Sequence, residues 1–171
     1  MTESKINFLK MKNNFKQGRV GLSMVELMIT IGVMAIVVSA GFVNLRNFQG
    51  KKALSNEADS IVAVLRRAQQ NAVGQENASA WGVKFFNQVS GGDYYQVFYG
   101  ASYAAGTAES IKYLSLGLKF TSPTSGNSTE ILFVKGTGLT NVVTVVIAES
   151  KDLSNTKTVS VNALGLAKRD D

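Results

Sequence analysis

The sequence has no cysteine and no histidine, and it holds one proline in 171 residues. Without cysteine no disulfide can staple the fold, so packing must hold it together. Without either residue, all-cysteine and mixed Cys/His zinc sites, His-Glu-x-x-His metalloenzymes, Ser-His-Asp triads and thiol nucleophiles are excluded. No motif sets a nucleophile beside a base, so neither enzyme activity, a metal nor a cofactor is expected. Glu57 and Asp59 stand two apart on an expected helix and do not face each other, a poor metal pair. Acidic residues are scarce at the start of the chain. The first 21 residues carry Lys5, Lys10, Lys12, Lys16 and Arg19 against Glu3 alone, so most of the formal charge of +6 sits there. That placement makes the basic balance weak ground for a nucleic-acid partner.

What the chain does have is a long uncharged run from Leu27 to Val43. As a helix it measures about 26 Å at ~1.5 Å per residue. The hydrocarbon core of a bilayer is roughly 30 Å thick, and the run reaches that length when Leu22–Val25 are counted in. Positive charge before the run predicts that residues 1–21 stay on the cytoplasmic side and that the rest is exported in a single pass. Glu26 breaks the pattern, because it lies inside the apolar block. A charged side chain near the centre of a membrane helix costs roughly 2.5–3.5 kcal/mol, less towards an end, which marks Glu26 as a functional residue. A conventional secretory signal peptide is the competing reading, with Val38-Ser39-Ala40 before Gly41 as its cleavage site. Against it, the apolar run exceeds the usual ~7–15 residues and carries Glu26 in its front part.

The order Gly21-Leu22-Ser23-Met24-Val25-Glu26-Leu27-Met28 resembles the processing site of the type IV prepilins and type II secretion pseudopilins. The resemblance implies a prepilin peptidase that cuts after Gly21 and N-methylates Leu22, which stands where Phe is commonest. It also implies that Glu26 sets register during assembly by pairing with the amine of a neighbouring subunit. A first-turn carboxylate suits the positive end of a helix, and a low-dielectric filament core rewards the pairing and penalises an unpaired charge. The partners implied are other pilin or pseudopilin subunits, the peptidase, and the inner membrane with its assembly platform. The implied product is a structural subunit, membrane-stored and then part of a filament in the periplasm or at the cell surface.

After Asn44, Leu54, Ala58, Ile61, Leu65, Ala68 and Ala72 recur at three- and four-residue steps, the pattern of one buried helix face, with Lys51, Lys52, Asn56, Glu57, Asp59, Arg66, Arg67 and Gln70 filling the remaining polar surface. One helix is therefore expected from Leu22 to Val73, with Gly74 as its cap and Gly32, Gly41 and Gly50 as weak points. Beyond Ala78 the composition turns β-branched and aromatic. Strands are expected at Trp81–Phe86, Tyr94–Tyr99, Ile111–Leu116, Leu118–Thr121, Glu130–Val134, Val142–Ala148 and Thr156–Val161. The fold class is α+β: a long helix packed on a small antiparallel β domain. The expected segments are a leader at 1–21, a membrane or filament-core half-helix at 22–43, an amphipathic half-helix at 44–74 and a β domain at 79–171. Leu54, Ile61, Leu65, Trp81, Phe85, Phe98 and Phe133 are the expected core.

The helix end Leu65-Arg66-Arg67-Ala68-Gln69, the segment Trp81-Gly82-Val83-Lys84-Phe85 and the closing Val159–Gly165 together look like the minor pseudopilins called GspH/FimT-like. Some relatives that serve DNA uptake follow such a glycine with a basic tail, which makes Lys168 and Arg169 candidate phosphate contacts. Leu166 and Ala167 dilute that tail and Asp170-Asp171 oppose it, so the plainer reading is a solvated C-terminus. Tyr94, Tyr95, Tyr99 and Tyr103 form an aromatic cluster that suits a core or subunit contact better than base stacking. Gly136-Thr137-Gly138 suits a turn. A tethered or secreted binding domain that never polymerises is the alternative of a different class.

Overall fold

We describe the protein from a computed structural model, in which residue 21 and residues 23–170 are described, without the side chains of residues 40–47. The basic leader, Leu22 and Asp171 lie outside the described residues. The chain divides into two compact units, Met1–Phe42 and Val43–Asp171. One α-helix, α1 (Met24–Val73), contributes to both. It remains helical through Gly32, Gly41 and Gly50, the positions expected to weaken it.

Ser23 starts the helix. Its hydroxyl accepts a hydrogen bond from Val25 N–H at 3.3 Å, and its carbonyl accepts the first helical bond, from Leu27 N–H at 3.0 Å. Ser23 and Glu26 have the spacing of a capping box, which satisfies amides that the helix cannot pair internally. The far end falls at Val73, as expected: Gly74 N–H bonds to the Gln70 carbonyl and Gly74 closes the helix, while the left-handed residue is Gln75, with φ 55°. A short 3-10 turn follows (Glu76–Ala78), and the Trp81 indole N–H bonds to the Glu76 carbonyl at 2.9 Å.

In the second unit the strands are β1 (Trp81–Phe86), β2 (Tyr94–Tyr99), β3 (Thr107–Tyr113), β4 (Leu118–Ser122), β5 (Ser128–Phe133), β6 (Val143–Glu149), β7 (Asp152–Val161) and β8 (Ala167–Asp170). They form two four-stranded sheets, ordered β3-β2-β1-β5 and β4-β6-β7-β8, with every pairing antiparallel. The α+β expectation holds, with two sheets sharing the helix. Leu54, Ala58, Ile61, Leu65, Ala68 and Ala72 of α1 meet Trp81, Val83, Phe85, Tyr95, Ile131 and Phe133 of the first sheet, and Phe120, Val145, Ile147, Val159 and Val161 of the second, in one buried cluster.

β1 and β2 have the bounds read from the sequence, because both are rich in aromatic and β-branched residues, central in their sheet and buried along most of their length. β3 begins four residues before its expected start. It is an edge strand whose residues are all exposed, so burial imposes no alternation on it, and pairing with β2 decides where it runs. β8 was not expected at all. Its residues Ala-Lys-Arg-Asp carry no strand signal, and the turn before it brings it back onto β7. There the Asn162 carboxamide oxygen accepts from Leu164 and Leu166 N–H, each at 3.0 Å, and Gly165 takes φ 80°. A Cβ at Gly165 would collide with the Gly138 carbonyl and the Gln69 side chain, so only glycine fits.

All seven expected core residues are buried. Phe98, however, points to the opposite face of its sheet from the main core. β2 places Tyr95 and Val97 towards the helix, with Tyr94, Gln96 and Phe98 away from it. The loop from Gly100 to Gly106 covers that outer face. Tyr103 stands edge-on to Phe98 with ring centroids 5.4 Å apart, its hydroxyl donates to Gln96 Oε1 at 2.6 Å, and its N–H donates to Glu130 Oε1 at 3.0 Å. The four-tyrosine cluster is thus divided: Tyr95 lines the main core, and Tyr94 and Tyr103 belong to this second, smaller cluster.

Gly82 makes room for Phe98. A Cβ there would sit 2.5 Å from the Phe98 ring and 2.7 Å from the Ile131 carbonyl oxygen. Gly82→Ala is expected to cost about 1–3 kcal/mol through overpacking, read as a lower urea midpoint with an unchanged denaturant slope.

Candidate assembly site

Within the first unit, Met24–Ser39 present their side chains to solvent on every side of the helix. Met24, Val25, Met28, Ile29, Ile31, Met34, Ile36 and Val37 are among the large apolar side chains left uncovered. Glu26 is the one charged residue in this stretch and sits in the first turn of α1. Helix capping and the helix dipole account for a carboxylate there; they do not account for an apolar surface with no polar side. Among the described residues no helix is long and apolar enough to cross a membrane. Met24–Ser39, the part of the run whose side chains are described, is shorter than the roughly 17–25 residues that a span takes.

The other candidate pair, Lys168 and Arg169, lies in β8 and not in a solvated tail. Arg169 Nη1 is 2.8 Å from both Asp59 carboxylate oxygens and 2.9 Å from Ser55 Oγ. Lys168 Nζ is 2.7 Å from Asp170 Oδ1. Arg66 donates to the Ala167 carbonyl at 3.1 Å. These groups line a shallow cleft of about 390 Å³ with Val62 and Ala63. Arg169 and Arg66 therefore tie β8 to α1, while Lys168 pairs within β8; the charges of Arg169 and Lys168 are matched locally. Arg67, read as part of the helix's polar face, pairs with Glu109 at 3.2 Å. Among the described residues no group of three acidic side chains is placed to hold a metal.

Sequence reasoning missed the buried polar residues. Glu57, expected on the helix surface, is 4% exposed. Its carboxylate accepts from Ser115 Oγ at 2.6 Å and Ser115 N–H at 3.3 Å, with the Tyr95 hydroxyl at 3.5 Å and Lys112 Nζ at 3.9 Å. Asp93 accepts from Gln88 N–H and Phe120 N–H, at 2.8 and 2.7 Å, and Asn87 Nδ2 donates to the Phe120 and Pro123 carbonyls. These side chains link the two sheets and the helix. Among the described residues no buried side-chain nitrogen or oxygen lacks a partner. The signal was faint: Glu57 adjoins the apolar stripe, one residue before Ala58.

The fold is that of the pilins. Two crystal structures of the type IV minor pilin FimU from Pseudomonas aeruginosa are similar to this chain, each at 16% sequence identity. One has a TM-score of 0.53 over 72% of this chain and 92% of that one; the other has 0.49 over 69% and 93%. No protein-family model and no curated protein matches the sequence.

Burial, and then the Glu57 carboxylate, push the Tyr95 phenol well above its ordinary value. The unfolded chain releases that proton near pH 10 while the folded chain holds it, so this contribution is complete below about pH 10 and is lost as pH rises beyond it. A thermal melt of Tyr95→Phe is expected to show a weaker decline in Tm above pH 10 than the parent.

Proposed function

We propose that this chain is a structural subunit of a type IV pilus or of a type II secretion pseudopilus, assembled through the N-terminal part of α1. The observation that carries the reading is a lone carboxylate, Glu26, in the first turn of a helical segment whose apolar side chains are uncovered all round. Such a segment needs an apolar environment. A bilayer supplies it before assembly, with Leu22 and residues 40–43 completing the span, and packed neighbouring helices supply it afterwards. The pilin fold, joined to a sequence of the prepilin type at Gly21–Met28, supports the same role.

The sequence of events is then physical. Prepilin peptidase cuts after Gly21 and leaves a cationic, N-methylated Leu22. The apolar helix holds the subunit in the inner membrane with the second unit exported. On assembly, Glu26 leaves the interfacial region for a low-dielectric core, where it is tolerated only when it meets a cation. The Leu22 amine of a neighbour is that cation, so burial is allowed at one axial register. The likeness to a minor pilin favours a rare subunit of a pilus, and the GspH/FimT-like features of the sequence admit a pseudopilus. A DNA-uptake role would draw on Lys168 and Arg169; the pairing of Arg169 with Asp59 and of Lys168 with Asp170 weighs against it.

Mass spectrometry of the mature N-terminus tests the processing. N-methylated Leu22 is expected in cells with a prepilin peptidase and not in cells without it, whereas an N-terminus at Gly41 in both would sink the reading. Glu26→Ala is expected to leave insertion and cleavage intact and to abolish recovery in sheared filaments.

A further inference from the structure

The end of the second unit at which its part of α1 begins is built from turns that carry exposed apolar tips. Leu116, in the β3–β4 turn, is fully exposed; Val89, in the β1–β2 hairpin, is 82% exposed; Leu153, at the start of β7, is 52% exposed. Lysines surround them. A cleft of about 880 Å³ brings Gln49, Gly50, Lys51 and Ala53 of α1 together with Leu116 and Lys151. A second, of about 450 Å³, brings Val89 together with Lys119 and Leu153. Three acids line these clefts and all are engaged: Glu149 Oε1 accepts from Asn155 Nδ2 at 2.6 Å, Asp152 Oδ1 accepts from Ser154 Oγ at 2.6 Å and from Ser154 N–H at 3.1 Å, and Asp93 accepts from Gln88 N–H and Phe120 N–H.

We propose that this end of the unit is a docking face for an anionic phospholipid bilayer, with Lys51 and Lys151 on the headgroup phosphates and Leu116 and Leu153 dipping between headgroups. The proposal rests on the reading that residues 22–43 sit in a membrane. Under that reading the lining residue Gln49 follows Val43 so closely that the chain holds it within about 20 Å of the bilayer, even fully extended. A tether of that length gives a high effective concentration, so a weak contact suffices. The composition also selects lipid over protein. Single apolar side chains on separate turns amid exposed lysines suit the snorkelling of the headgroup region. Protein interfaces, by contrast, are depleted in lysine at their centres. Docking would hold the stored subunit against the membrane, and extraction into a filament would release it.

The test exploits the absence of cysteine. Full-length chain carrying Leu116→Cys, Leu153→Cys, Thr137→Cys or Ile36→Cys is labelled with a fluorophore. Each is reconstituted in vesicles of equal parts phosphatidylglycerol and phosphatidylcholine, or of phosphatidylcholine alone, with a lipid-borne quencher. Thr137 adjoins Gly136, whose N–H bonds to the Ala72 carbonyl at the far end of α1, so it reports the opposite end of the unit. Labels at 116 and 153 are expected to be quenched in the anionic vesicles well beyond the label at 137. Lys51→Gln or Lys151→Gln should each reduce the docked-to-free ratio about fivefold. Labels at 116 and 153 quenched no more than the label at 137, while the label at 36 is strongly quenched, would overturn the docking face and leave the membrane reading standing. An unquenched label at 36 would remove both. Equal quenching in the two lipids, or shielding of 116 only in assembled filaments, would also overturn the anionic-bilayer assignment, the latter in favour of a neighbouring subunit.

Discussion

The apolar face of α1 from Leu54 to Ala72 is the constraint on which the second unit depends. Each four-stranded sheet has an apolar face to set against the helix. With no disulfide to hold the sheets, the cover must come from packing. Both sheets use the same helix stripe, and no residue of it can be polar without opening the shared cluster. Alanine at 58, 68 and 72 lets the strands approach, while Leu54, Ile61 and Leu65 fill the space between Trp81 and Phe85 on one side and Ile147 and Val159 on the other. A core common to three layers also explains why about 130 residues can be stable without a staple.

Buried polar groups fix how the layers meet. Apolar packing alone leaves the two sheets free to slide along the helix, because burial has no direction. Glu57, Asp93 and Asn87 remove that freedom by binding backbone or hydroxyl groups of strands that are distant in sequence. Their cost is low because each is fully partnered. In the first turn of α1, Ser23 accepts from Val25 N–H and Glu26 is exposed; an apolar core around Glu26 would demand a partner for that carboxylate.

The elements dictated by a strong period were legible in the sequence. The α1 stripe follows from spacing, and β1 and β2 from their aromatic and β-branched composition. What was not legible lacks a local signal. β3 and β8 are edge strands held by partners, so their alternation is weak and their bounds belong to the neighbouring strand. Phe98 was correctly expected to be buried, but its burial comes from Tyr103 and a glycine-bounded loop on the far face, which no periodicity reveals. Glu57 was misplaced because helical charge normally reads as surface. At the candidate site, the apolar run and Glu26 were legible as a pattern. The ties of Lys168 and Arg169 were not, since Asp59 lies 110 residues from Arg169 in the sequence.

That separation has a consequence for biogenesis. β8 fills its place beside β7 and bonds back to α1 through Arg169 and Arg66, in the C-terminal half of the helix. The helix is synthesised first, yet the strand that locks onto it comes more than a hundred positions later. Contacts of such span make folding wait on closure of a long loop. Were the chain exported helix first, as proposed, its apolar stripe would reach the far side bare and would be covered in stages, first by β1, β2 and β5 and then by β6 and β7. Under that proposal, whatever shelters Leu54, Ile61 and Leu65 until those strands follow would set how much of the protein reaches assembly.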